Sequence, residues 1–506
     1  MYIKKANKVD ILIIAEGTYP YIKGGVSTWI HQLIAGLPEF EFGVIFLGSR
    51  PEDYEDISYK FPSNLTHLEV HYLFSRLEKP GPLRIKVKEN VLDYLRWLHN
   101  WFRFPDDKGI PEEVKKLDFY LEKVKKEFFL YHEDSWELIK EYYMNFCPDE
   151  PFIDYFWTIR NMHLPIWKVA TVAKDAIIAR VIHSPSTGYA GFLGALIHHD
   201  RGIPFILTEH GIYTRERKID LMMADWIRER RLQIQKNLGE IEYLKEVWIK
   251  FFIGIGRMCY DAADPIISLF HAARKVQIEY GAPEEKTLVI PNGVDIKRLS
   301  RLREKRPPGI PKIIGLIGRV VPIKDVKTFI KAMRIVVNEL PDAEGWIVGP
   351  EDEDQKYANE CHRLVTVLGL TQNIKFLGFQ NIADVLPKIG LLTLTSISEG
   401  MPLVVLEGFA AGVPAVTTDV GSCRQLIYGG IDEKDKKIGK AGEVTPLANA
   451  EALAKAYLRF LTDEKEWKKA QQAAIERVER YYTLDGFLNH YREIYTEAMK
   501  NGRYRL

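Results

Sequence analysis

Ser398-Glu399-Gly400-Met401-Pro402-Leu403-Val404-Val405-Leu406-Glu407-Gly408-Phe409-Ala410-Ala411-Gly412 is the stretch on which the reading of this chain turns. It follows Leu391-Leu392-Thr393-Leu394-Thr395, an apolar run of the kind that forms a parallel strand covered on both faces. Pro402 suits a first helical position, where its missing N–H costs nothing. The segment therefore reads as strand, turn and helix, with Glu399 on the turn at the strand's carboxyl end. Ligands of open α/β sheets collect at that edge, and the backbone at Gly400, Met401 and Leu403 offers amides to anionic or hydroxyl-rich groups, Pro402 having none to donate. Glu407, eight positions after Glu399, falls among Val404, Val405, Leu406, Phe409 and Ala410, where an unpaired carboxylate is costly to bury. It needs a structural ion pair, a solvated helix face or the hydroxyls of a ligand. Two carboxylates framing one helix start favour the ligand.

Upstream, Ile313-Ile314-Gly315-Leu316-Ile317-Gly318 is a second buried strand, followed by Arg319-Val320-Val321-Pro322-Ile323-Lys324-Asp325. Two cations at a strand end suit a diphosphate, because Arg forks onto two oxygens and Lys acts as a point charge. A solvated basic loop is the alternative for such residues alone. Strands are also predicted over Gly345–Gly349 and Ile374–Phe379, and Phe379, ending a strand on the same rim, is placed to cover a nucleobase. The acidic run Glu351 to Asp354 reads as a solvated loop. Alternation of strand and helix without hairpins means a parallel sheet.

The first half repeats the pattern. Ile11 to Ala15 is a buried strand, and the Gly24-Gly25 pair after its loop brings backbone amides close to whatever lies above the sheet; a helix carrying Trp29, Ile30, Leu33 and Ile34 follows. Phe42–Leu47 and Thr66–Leu73 are further strands. Between about 83 and 179, helical segments rich in aromatics form an insertion, either with a local core of its own or as an acceptor lid or docking face. The pattern resumes at Arg180–Ser184 and again at Pro204–Leu207, which leads into Thr208-Glu209-His210-Gly211. His183, at a strand end, is either a framework residue or an acceptor contact. Long helices are expected over Glu216–Cys259. Asn292-Gly293 reads as a turn needing positive dihedrals, and the basic, Pro-rich Arg298–Pro311 as a linker.

The length, 506 residues, predicts two domains, and a net charge of +1 gives no electrostatic reason to expect nucleic acid. The four cysteines are scattered without C-x-x-C spacing, which suggests neither zinc nor a disulfide framework and fits a reducing compartment. The apolar run near Met1 is too short for a signal peptide, and no run approaches a membrane span. A soluble, cytoplasmic protein is expected.

Glu399 and Glu407 reproduce the E-x7-E pattern of retaining nucleotide-sugar glycosyltransferases of the GT4 type, and Gly318-Arg319-x-x-Pro322-x-Lys324-Asp325 and Thr208-x-His210 resemble the same family in order. Through Ala15-Glu16-Gly17-Thr18-Tyr19-Pro20, Gly24-Gly25-Val26-Ser27, Thr208 to Tyr213 and the helical insertion, the chain is similar to the PelF subfamily of Pel exopolysaccharide assembly. The resemblance implies a GT-B architecture of two facing Rossmann-like, doubly wound parallel-sheet domains. Their expected limits are 1–300, with the insertion at about 83–179, then 301–483, and a helix over 484–506 returning to the first domain. It implies that Glu399 holds donor-sugar hydroxyls, Glu407 the ribose, Arg319 and Lys324 the leaving diphosphate, and that His210 lies beside the donor sugar. Gly24, Gly25, Phe379, Gly400, Met401, Pro402 and Leu403 complete the expected donor site. The implied donor is a UDP-sugar, the acceptor a polysaccharide or oligosaccharide, and the partner an integral-membrane polysaccharide-transport complex; no metal or other cofactor is expected. A UDP-sugar 2-epimerase of the same architecture and a non-catalytic UDP-sugar-binding regulator are the competing expectations.

Overall fold

The structure is a computed structural model that describes residues 2–74, 90–105, 109–223 and 243–501. The chain divides into two units, residues 1–268, 274–288 and 492–506 in the first, 269–273 and 289–491 in the second. The segment 289–300 thus goes with the second unit instead of the first. Its backbone explains this: Val294 N donates to Tyr482 O and Leu484 N to Val294 O, both at 2.9 Å. Gly293 lies at this junction and has no positive φ, contrary to the turn expected there. A Cβ on it would stand 2.3 Å from Thr483 O, so close approach of backbone is what the glycine permits.

In the first unit the described strands are β1 (Tyr2–Lys4), β2 (Lys8–Glu16), β3 (Phe42–Gly48), β4 (Leu65–Tyr72), β5 (Ile178–Ser184), β6 (Phe205–Glu209), β7 (Ile266–Ser268) and β8 (Thr287–Val289). They form one sheet in the order β1-β4-β3-β2-β5-β6-β7-β8. Ile11 to Ala15 of β2 are wholly buried, because β2 pairs in parallel with β3 and β5 and helices cover the sheet. β1 departs from the expected pattern. It is an antiparallel edge of three residues on β4, too short to carry a periodic signal.

The insertion contributes helices Val91–Arg103, Lys126–Tyr131, Glu133–Phe146 and Phe152–Asp175. Among the described residues it has no separate core. Trp101, Phe102, Phe129 and Trp167 belong to the same buried cluster as Leu12, Ile45 and Phe192. The Trp167 indole donates to Val124 O at 2.7 Å, as a buried Trp requires. Helices Tyr213–Met223 and Tyr243–Ala262 fall in the stretch read as long helices; residues 224–242 of that stretch lie outside the described residues, as do 83–89 of the insertion.

The second unit holds β9 (Ile313–Ile317), β10 (Glu344–Val348), β11 (Ile374–Gly378), β12 (Leu391–Leu394), β13 (Ala415–Thr418) and β14 (Gly442–Thr445), all parallel, in the order β11-β10-β9-β12-β13-β14. This is the 3-2-1-4-5-6 order of dinucleotide-binding folds. Gly345 keeps β10 flat against its covering helix, since a Cβ there would meet Phe329 and Met333 at 3.0 and 3.1 Å. The strand order reverses between β9 and β12, and the carboxyl ends of the strands at such a reversal are where open α/β sheets bind ligands. Among the described residues, no helix is long and apolar enough to cross a membrane.

Candidate functional site

The candidate site of the second unit is built from the two loops that leave β9 and β12. Thr395 Oγ1 donates to Lys324 O and Ile397 N to Ile323 O, each at 2.8 Å, so the loops are stitched together. Asp325, in the left-handed region at φ +44°, caps helix Val326–Glu339 by accepting from Thr328 N. Lys324 is thereby aimed at the loop after β12, where its ammonium donates to Glu399 Oε1. The same oxygen accepts from Ser396 Oγ at 2.6 Å. The structure thus brings together Lys324 and Glu399, 75 positions apart in sequence. Arg319, at the end of β9, is engaged elsewhere: one of its nitrogens reaches both oxygens of Glu353, at 2.7 and 2.6 Å.

Helix Leu403–Ala410 begins one residue later than expected. Pro402 is its N-cap in extended conformation, φ −73° and ψ 109°, not its first residue. The Gly400 carbonyl accepts from Ser422 N at 2.9 Å, and a Cβ on Gly421 (φ +51°) would lie 2.2 Å from it. Only a glycine lets the β13 loop close on the turn carrying Glu399. Met401 is buried with its sulfur 3.3 Å from Asn292 N, which makes its side chain a packing element. Phe379 follows Gly378 (φ +61°) at the end of β11 and is 78% exposed.

Glu407 lies within helix Leu403–Ala410, and burial pushes its carboxyl up to about 7, partly opposed by the charge of Arg298. The sign of the consequence follows. Between the unperturbed 4.5 and about 7 the folded protein holds a proton that the unfolded chain releases, so Glu407 erodes stability as pH rises through that window. Thermal melts of wild type and Glu407→Gln from pH 5 to 8 are expected to diverge, the wild type losing Tm relative to the variant.

In the first unit the corresponding edge opens into a cavity of about 640 Å³ whose lining includes Glu16, Thr18, His210, Tyr213, Arg217 and Trp248. Glu16, at the end of β2, accepts from Ala190 N and Tyr213 Oη, both at 3.0 Å, and burial raises its pKa while Arg217 lowers it. His210 follows β6 and packs edge-on against Trp29 at 4.6 Å. Burial lowers its pKa to about 3, so the ring is neutral at working pH, and its buried Nε2 has no hydrogen-bond partner among the described residues. Thr18 Oγ1 is in the same state. The turn beneath is locked by Glu209, which accepts from Thr187 Oγ1 at 3.2 Å, Tyr260 Oη at 2.7 Å and Gln277 Nε2 at 3.0 Å. His183 is a framework residue, its two nitrogens at 2.6 Å from Tyr495 Oη and 2.8 Å from Thr208 Oγ1. Tyr495 comes from the terminal helix Leu484–Asn501.

Gly24 caps helix Gly25–Gly36 in extended conformation, and a Cβ on it or on Gly25 would meet nothing within 4 Å. Their smallness leaves open space above the sheet edge and is not demanded by φ. Glu16 and Thr18, which the sequence offered only as part of the Ala15–Pro20 motif, line the cavity, and Glu353, read there as part of a solvated acidic loop, lies on Arg319. All four cysteines are free and buried. Among the described residues, no group of three or more His, Cys, Asp or Glu could hold a metal ion.

Comparison with known proteins adds the following. The family model described as domain of unknown function DUF3492 matches residues 9–285, and that of glycosyl transferases group 1 matches residues 300–477. The lipopolysaccharide core biosynthesis mannosyltransferase LpsB of Rhizobium meliloti is 26% identical over 224 residues, 42% of this chain and 61% of that protein. A phosphatidyl-myo-inositol mannosyltransferase of Mycobacterium leprae is 27% identical over 250 residues, 47% of this chain and 60% of that protein. The chain thus spans about three fifths of the length of these curated relatives. Among solved structures, Anabaena HepE in complex with UDP and glucose superposes with a TM-score of 0.57 at 16% identity, covering 96% of this chain and 99% of that one. Sucrose-phosphate synthase from Thermosynechococcus elongatus gives 0.57 at 16%, covering 97% and 99%. The fold is that of GT-B glycosyltransferases.

Proposed function

From the premise that the chain belongs to the DUF3492 family and carries a glycosyl transferases group 1 domain, we propose that it is a retaining glycosyltransferase that moves a sugar from a UDP-sugar to a saccharide acceptor. The observation that carries this reading is the Lys324–Glu399 pair at the strand-order reversal of the second sheet, with Arg319 at the start of the same loop as Lys324. Lys324 and Arg319 take the donor diphosphate, Glu399 the sugar hydroxyls, Glu407 the ribose and Phe379 the uracil face. The backbone of Gly400 to Leu403 completes the donor contacts.

In the reaction the bond from the anomeric carbon to the diphosphate breaks, the acceptor oxygen bonds to that carbon on the same face, and the acceptor's proton passes to a departing phosphate oxygen. No protein nucleophile is required, and the enzyme contributes positioning and charge. The family resemblance assigns His210 to the donor sugar and Gly24 and Gly25 to the donor site, and the first unit's cavity is the place for the saccharide acceptor. HepE is described in complex with UDP and glucose, which supports the choice of donor. The resemblance to the PelF subfamily supports a growing extracellular, Pel-like polysaccharide as acceptor, made on the cytosolic side beside an integral-membrane transport complex, and activity without a metal.

The test is to incubate the protein with several UDP-sugars, with and without oligosaccharides and with a chelator. The expected result is glycosidic product and UDP only when acceptor is present, undiminished by chelation. A 2-epimer or free UDP formed equally without acceptor would point to an epimerase, and UDP-sugar binding without turnover to a regulator.

A further inference from the structure

The acidic run after β10, expected to be a uniformly solvated loop, has divided duties. Glu351 Oε2 lies 2.6 Å from His362 Nε2. Asp354 caps helix Gln355–Val367 by accepting from Tyr357 N at 2.9 Å. Glu353 is turned onto Arg319.

That last contact is not a chance meeting of two long side chains. β10 and β9 run in parallel register with Val348 beside Ile317, so their outgoing loops share one edge. Gly318 N donates to Val348 O at 2.8 Å and Val320 N to Pro350 O at 3.0 Å. Gly349, at φ +157°, sits where a Cβ would be 2.0 Å from Gly318 O. The backbone on both sides of Glu353 is therefore fixed, by these bonds before it and by the Asp354 cap after it, and its carboxylate is delivered to the guanidinium.

We propose that Glu353 is the resident counter-ion of Arg319, displaced when a donor diphosphate binds, and that it sets the affinity of the second unit for UDP-sugars and UDP. This rests on the assignment of Arg319 to the diphosphate made above. Both side chains are about half exposed, 49% for Arg319 and 51% for Glu353, so the pair is weak enough to yield to a ligand with more charge and two oxygens to offer. It also holds the fork in place between turnovers and returns to it as UDP leaves. Glu399 differs: it is anchored by Ser396 and has its own sugar to hold.

The experiment is calorimetric titration of UDP into wild type, Glu353→Gln, Arg319→Ala and the double variant, with Glu351→Gln as a charge control. Glu353→Gln is expected to bind UDP about two- to five-fold more tightly, the range of an exposed ion pair, and to lower KM for the UDP-sugar without raising kcat. In the Arg319→Ala background the same change should have no effect, and Glu351→Gln should leave affinity alone. Unchanged or weaker UDP binding by Glu353→Gln overturns the proposal. So does equal tightening in the Arg319→Ala background or by Glu351→Gln, since net charge would then account for it. A folded wild type that binds no UDP overturns the donor-site reading itself, and this inference with it.

Discussion

Lys324→Ala is expected to lower turnover by about 10²- to 10³-fold while leaving the fold intact, the cost of removing one preorganised donor from a developing negative charge. The size follows from the setting. Lys324 is three-quarters buried, with 24% of its side chain exposed, so its charge acts in a medium where Coulomb energies exceed those in water. Its backbone is pinned by Thr395, and substitution removes the ammonium without releasing the loop, whose carbonyl contact is unaffected. Glu399 retains Ser396 as a partner and stays in place. Measured kcat beside a circular-dichroism spectrum checks the expectation; near-parental turnover in a folded variant would remove Lys324 from the leaving-group role.

Asp435→Ala is expected to destabilise the second unit by about 3–5 kcal/mol, the cost of leaving a buried charge without its partner. Asp435 and Arg477 are both wholly buried. Arg477 Nε donates to Asp435 Oδ1 at 2.7 Å, and its other nitrogens to the carbonyls of Ile427 at 2.9 Å and Gly439 at 2.7 Å. Asp435 Oδ2 accepts from Gly430 N at 2.8 Å and Ile431 N at 3.1 Å. One ion pair thus closes the loop that leads into β14, and removal of the carboxylate strands both the guanidinium and two amides. The midpoint of urea unfolding measures the loss; a shift within that of an exposed control substitution would contradict it.

How far the molecule was legible depended on how local each cause is. Strands β2, β3, β9 and β12 are runs of apolar residues buried on both faces, and burial of that kind is written directly into the sequence. That Lys324 and Glu399 serve one site was expected only through family resemblance, and their direct ion pair not at all, because spacing alone cannot bring together residues 75 apart. Other features depend on neighbours distant in sequence and left no local mark. Gly293 answers to Thr483, Gly421 to Gly400 and Glu353 to Arg319. The aromatics of the insertion looked the same in sequence whether they made a local core or joined that of the first sheet; they join it. Glu16 ends β2 and Thr18 follows in its loop, and only the folded edge shows both at a cavity.

The loops after β9 and β12 are proposed to receive the diphosphate of a UDP-sugar. The most direct measurement is a crystal structure of the protein with UDP bound. Phosphate oxygens are expected within hydrogen-bonding distance of Lys324 and Arg319, with Glu353 released from the guanidinium and the ribose on Glu407. A uridine diphosphate bound at another edge, or phosphates touching neither cation, would contradict it.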